Sequence, residues 1–160
     1  MCRVFHDSGF KVASDGHILV ALKEEYDSEL EGKLLKKDGT IETQHTNYPK
    51  WRKVVPNPQQ TEMVPVKLDF EKIKGFESDF KAKMKAANRK YATTAVRVTR
   101  NCCFKLEYLV KMAKAMEHIG TDTLMVNADG RRAALASTDM GKAILMPIIG
   151  YEDAEFRYEL

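Results

Sequence analysis

The sequence predicts an α+β fold, an antiparallel sheet with two helices packed on one face, and three observations carry that reading. Short apolar runs bounded by turn residues stand near both ends of the 160-residue chain, the pattern of hairpins. Two middle segments instead repeat apolar residues every three or four positions, the period of a helix with one buried side. Strands fall before, between and after these helices without regular strand–helix–strand alternation, which favours an antiparallel sheet over a doubly wound parallel one. The composition, 44% hydrophobic and 31% charged with nine Gly and five Pro, is that of a folded chain, and its length suits one domain.

Residues 2–5 and 10–13 are apolar runs broken by Asp7, Ser8 and Gly9, a turn between two strands. After Ser14, Asp15, Gly16 and His17 comes Ile18, Leu19, Val20, Ala21 and Leu22, short and apolar enough for a buried strand. Leu30, Leu34 and Leu35 give the polar stretch 23–37 only a helical hint, and 37–40 is a turn. Prolines at 49, 56, 58 and 65 make 48–65 an extended connector, because each removes a backbone donor and disfavours helix in the residue before it. Residues 63–68 alternate as a strand, and Asp69 is the N-cap of a helix over 70–91. Phe70, Ile73, Phe76, Phe80, Met84 and Ala87 share one face of that helix and its lysines take the others. Residues 93–99 alternate around Val96 and Val98 as a half-buried strand. A second helix over 104–119 follows from Leu106, Leu109, Val110, Ala113 and Met116, closed by Gly120. Strands over 123–127, 132–137 and 142–149 complete the sheet, and the polar tail 151–160 has no assignment.

No apolar run approaches the roughly 20 residues that cross a bilayer, and the first residues lack a signal peptide's apolar core, so a cytoplasmic protein without a membrane partner is expected. Cys2, Cys102 and Cys103 form neither a disulfide framework nor a metal-ligand spacing, and read as small buried hydrophobes. His6, His17, His45 and His118 show no ligand spacing either, so no metal or cofactor is expected. Nucleotide-binding glycine loops and the common hydrolase motifs are missing. Ser14, Asp15 and His17 have the composition of a triad, yet neighbours in one turn rarely form a relay, and no catalytic residue is expected. With a net charge of only +3, the placement of the cations matters more than their sum.

Four segments share an order with one known family. Ser14-Asp15-Gly16-His17-Ile18-Leu19 comes first, then Tyr48-Pro49-Lys50-Trp51-Arg52-Lys53-Val54-Val55-Pro56. Phe104-Lys105-Leu106-Glu107-Tyr108-Leu109 follows, and Ile144-Leu145-Met146-Pro147-Ile148 comes last. They are similar to T-D-G-H-R-L, F-P-D-Y-R-R-V-L-P, F-N-V-S-Y-V-L and V-V-M-P-M in the carboxy-terminal part of the bacterial DNA polymerase III beta subunit, the sliding clamp. Ile18 stands where the family has Arg, the chain continues past the Met-Pro motif, and most of a middle domain is missing between the first two segments.

The resemblance implies a shortened DNA-clamp-like domain over 1–150 followed by the tail. Residues 1–56 would match the end of a middle clamp domain and its linker, and 57–150 the last clamp domain. It also implies a processivity factor of DNA replication, not an enzyme. Such a factor tethers polymerases and other replication or repair proteins through short linear motifs, and surrounds duplex DNA as a homo-oligomer. Carried over position by position, the peptide pocket comprises Gly16, His17, Leu19, Pro49, Lys53, Val54, Ile144, Met146, Pro147 and Ile148. Clamps line their central hole with basic helices, which assigns non-specific DNA contact to Lys81, Lys83, Lys85, Arg89, Lys90, Lys111 and Lys114.

Plainer readings stand beside these. Asp15-Gly16-His17 is also a turn whose Gly takes positive φ, Ile144 to Ile148 also a core strand stopped by a proline, and the lysines also a solvated face. Trp51 is either a core plug or an exposed platform, and the resemblance makes it packed. A stand-alone adaptor or decoy that binds replication proteins without DNA is the alternative function. Phe156, Tyr158 and Leu160 raise the further option that the tail covers the pocket.

Overall fold

The computed structural model describes residues 3–43, 48, 50–57 and 62–160. Strands β1 (Val4–Asp7) and β2 (Phe10–Ser14) form the opening hairpin, and β3 (Ile18–Lys23) pairs antiparallel with β2. The helical hint of Leu30, Leu34 and Leu35 resolves into a 3₁₀ turn at Ser28–Leu30 and the short β4 (Leu34–Leu35), which pairs with β1. A second 3₁₀ turn, Trp51–Lys53, lies in the proline-rich connector, and β5 (Met63–Lys67) follows. Helix α1 (Phe70–Ala86) starts where Asp69 accepts the Lys72 N–H at 2.9 Å. It ends well short of residue 91, because Asn88 adopts a left-handed φ of 49°, so Arg89 and Lys90 leave the helix.

After β6 (Thr94–Arg97) and β7 (Cys103–Phe104), α2 (Leu106–Ile119) ends at Gly120 with φ 76°. Strands β8 (Thr123–Asn127), β9 (Ala134–Thr138) and β10 (Gly141–Leu145) form the closing meander, and β11 (Phe156–Glu159) lies in the tail. Among the described residues, eight strands make one antiparallel sheet in the order β4-β1-β2-β3-β10-β9-β8-β5. The smaller sheet, β11-β6-β7, holds a parallel pair, β11 on β6, that hydropathy gave no means to foresee.

Alternation along β3 and β10 separates two cores. Ile18, Ala143 and Leu145 face the main core, where α2 buries Leu106, Leu109, Val110, Met112, Ala113, Met116 and Ile119. Each such large side chain contributes about 1.5–3 kcal/mol. Leu19, Ala21 and Ile144 face the other way, onto Val12, Leu135 and Trp51. Trp51 is only 3% exposed, and its Nε1–H donates to Asp7 Oδ2 at 2.7 Å, so it is the packed aromatic of the two readings. The central junction Leu19↔Ile144 thus joins the early strands to the late ones and sets the site described next.

The tail does not reach that junction. Phe156 meets Phe80 edge-on, Tyr158 stacks on Phe76, and Arg89 pairs with Glu155. No helix among the described residues is long and apolar enough to cross a membrane.

Candidate functional site

The loop from Ser14 to Ile18 is fixed from every side. The Ser14 hydroxyl donates to Ile18 O at 2.9 Å, and Asp15 Oδ1 accepts the N–H groups of His17 and Ile18, each at 3.1 Å. Gly16 holds φ 91°, which side-chain-bearing residues rarely adopt. From α2, Lys111 Nζ reaches Asp15 Oδ2 at 2.8 Å, and Tyr108 stacks on the His17 ring at 4.6 Å. The Met146 N–H, just past β10, donates to His17 O at 2.9 Å. Partial burial pushes the Asp15 carboxyl up, but the bond from Lys111 and the two backbone N–H bonds outweigh it and hold the group below its usual value. Asp15 in turn raises Lys111.

Against this loop lies a hollow of about 220 Å³. Six of the predicted pocket residues line it together, namely Gly16, His17, Leu19, Val54, Ile144 and Met146, with Ser14 and Ile18 beside them. Its walls are mainly aliphatic, and Val54 and Met146 remain about half exposed, so apolar surface faces water. Ser14 and His17 are its polar lining residues, and the mainly apolar surface suits an apolar ligand anchor.

Of the other pocket candidates, Lys53, Pro147 and Ile148 fall elsewhere. Pro49 lies outside the described residues. Lys53 borders a neighbouring hollow of about 400 Å³ with Phe5, Asp7, Tyr48 and Trp51. Pro147 is half-buried just beyond Met146, and the Ile148 N–H donates to Cys103 O at 2.9 Å, which turns the chain away from the hollow. Sequence reasoning missed Ser14 and Ile18, which flank the Asp-Gly-His motif, and the buttress from Tyr108 and Lys111.

Four of the seven cations assigned to DNA already have a carboxylate. Lys81 pairs with Glu77 at 2.6 Å, Lys83 with Asp79 at 2.7 Å, Arg89 with Glu155, and Lys111 with Asp15. Lys85, Lys90 and Lys114 have no ion pair among the described residues. Nor are three or more His, Cys, Asp or Glu side chains grouped to hold a metal ion among the described residues.

No protein-family model and no curated protein matches the chain. Solved structures do. A DNA polymerase sliding clamp from Pseudomonas aeruginosa with ligand matches at TM-score 0.54 and 16% identity, covering 92% of this chain and 57% of that one. The DNA polymerase III subunit beta from the same organism gives 0.53 and 15%, over 92% and 58%. The DNA polymerase III beta subunit from Thermotoga maritima gives 0.54 and 15%, over 92% and 57%. The chain therefore has the fold of a bacterial sliding clamp, across little more than half of such a clamp's length.

Proposed function

We propose that the chain is a clamp-like tether, not an enzyme, which holds a client protein of DNA replication or repair through an extended apolar peptide. The observation that supports this reading is the hollow at the β3–β10 junction, where residues from three separated segments meet on one aliphatic surface. It accommodates one or two side-chain anchors of an extended segment, while Ser14 and His17 bias its direction. Met146 at its edge adapts to anchors of different shape. Tethering needs no bond chemistry, since holding a client raises its local concentration. On this reading 1–56 correspond to the end of a middle clamp domain with its linker and 57–150 to the last, and copies associate where DNA is surrounded.

A second reading has its own support. Since Lys81, Lys83, Arg89 and Lys111 are already paired, an adaptor or decoy that captures the same peptides and leaves DNA alone fits the surface charge.

Fluorescence polarisation tests the shared part. A labelled peptide with an aliphatic–aromatic clamp-binding motif should bind the intact protein. Met146→Ala should weaken it at least about tenfold, as loss of a buried anchor contact does, while Met140→Ala, exposed elsewhere, should leave it unchanged. Equal affinity in all three proteins would refute the site, and salt titration with duplex DNA separates the two readings.

A further inference from the structure

A second cavity, of about 300 Å³, has a chemistry unlike the apolar hollow. Three turns enclose it: the β6–β7 turn, the β8–β9 turn, and the segment after β10. They are locked to one another. Asn101 Nδ2–H donates to Ala128 O at 3.0 Å, and the Ile148 N–H ties the last segment to Cys103. Gly130, at φ 67°, stands so close to the facing turn that a Cβ there would lie 1.7 Å from Asn101 O. The walls are therefore rigid turns packed backbone to backbone.

The lining holds more cationic than anionic side chains. Arg97, Arg100 and Arg131 contribute three guanidinium groups and the Thr99 hydroxyl a further donor, while one amide hydrogen of Asn101 is already donated to Ala128 O. Asp129 is the lining carboxylate, and its Oδ1 already accepts the Arg131 N–H at 2.8 Å. Arg97 is held by Glu152 and Glu159, at 2.9 and 3.0 Å, over the Tyr151 ring. Arg100 and Arg131 have no ion pair among the described residues. Buried Cys102 and Cys103 add no competing anion, since burial pushes the Cys102 thiol up to about 12.

We propose that this cavity is an anion site for a single phosphate group, bound by the side chains of Arg100 and Arg131 against the wall made by Thr99, Asn101 and Gly130. Planar guanidinium forks match phosphate oxygens in pairs, and a rigid wall lets them bind without ordering a loop. The phosphate comes either from a free phosphate or phosphate monoester or from a nucleic-acid strand, and the cavity chemistry is the same for both. The site is distinct from the peptide hollow and does not depend on it.

The test is a titration of the full chain with inorganic phosphate, followed by amide NMR, with chloride at matched ionic strength as control. Saturable shifts at residues 99–102 and 128–131, weakened at least about tenfold in the Arg100→Gln/Arg131→Gln double variant, are expected. The nearby Arg132→Gln should bind as the intact protein does. A short duplex with and without 5′-phosphates then identifies the source. Displacement of phosphate by both duplexes assigns a backbone phosphate, and displacement by the phosphorylated one alone, or by neither, assigns a phosphate monoester. Shifts that chloride reproduces, that never saturate, or that persist in the double variant would overturn the proposal. The variants replace exposed side chains, so their spectra also show that the fold is intact.

Discussion

Gly9 and Gly130 hold similar positive φ values, 81° and 67°, in opposite surroundings. Nothing lies within 4 Å of a Cβ built on Gly9, whereas one on Gly130 meets the backbone of Asn101. Gly9→Ala should therefore cost only the left-handed conformation, about 1–2 kcal/mol, and Gly130→Ala more than about 3 kcal/mol. Urea unfolding with unchanged m-values measures both, and equal losses would mean that the two turns are not rigidly apposed. At the apolar hollow the decisive residue pair is Asp15 and Lys111. Asp15 is depressed, so its contribution is present above its unfolded value, near pH 4, and is lost as pH falls through the folded pKa. Lys111 is raised, so its contribution is present below its unfolded value, near pH 10, and is lost as pH rises through the folded pKa. The side-chain carboxyl carbon shift of Asp15 should titrate only below about pH 4. Lys111→Met should move that acidic midpoint upward, and an unmoved midpoint would rule the pair out. The Asp-Gly-His motif was legible because its residues are neighbours. Lys111 was not, since it stands 96 positions from Asp15 and reads by itself as one more surface cation.

Helix α2 is the element whose face was plainest in the sequence, and it carries the main core. Leu109, fully buried, should cost about 2–5 kcal/mol as Leu109→Ala. A thermal midpoint unchanged by that substitution would contradict the packing. The opening hairpin and the start of α1 were equally legible, because period two, period 3.6 and the Asp69 cap are local signals, whereas α2 begins at Leu106 and not at 104, since Cys103–Phe104 form β7 and no side chain caps the helix. The end of α1 was not, since apolar spacing continued past the Asn88 reversal. Nor was β11, whose pairing with β6 joins positions 62 apart by backbone bonds that composition does not encode. Phe156, Tyr158 and Leu160 alternate as a strand should, but only the fold shows that Phe156 and Tyr158 cover α1 and that Leu160 packs on the main core, away from the peptide hollow. A chain ending at Gly150 should expose Phe76, Phe80 and the bare edge of β6, and an exposed edge strand invites association. Light scattering should then show concentration-dependent association beyond that of the intact chain. A truncated chain that stays in the same state as the intact one would mean the tail strand is dispensable.

Across the whole molecule, the surface charge bears on the proposed contact with DNA. The chain shares the clamp fold over 57% of the Pseudomonas aeruginosa structure's length, yet four of its seven assigned cations are engaged by its own carboxylates. Those pairs are surface-exposed, worth little individually, and screened by salt, but each must open before its cation can neutralise a phosphate. Binding to a duplex releases about 0.9 counterion per phosphate neutralised, so the salt dependence counts the cations that take part. If only Lys85, Lys90 and Lys114 are free to act, the slope of log affinity against log salt should be about −3, whereas participation of all seven gives about −6. Replacing those three lysines by Gln should then abolish binding, and replacing Lys81 and Lys83 should leave the slope unchanged. A slope near −6 would show that the ion pairs open on DNA and that a full basic face operates. No measurable binding at low salt, with the peptide still captured, would leave the adaptor reading and remove the tether's DNA half.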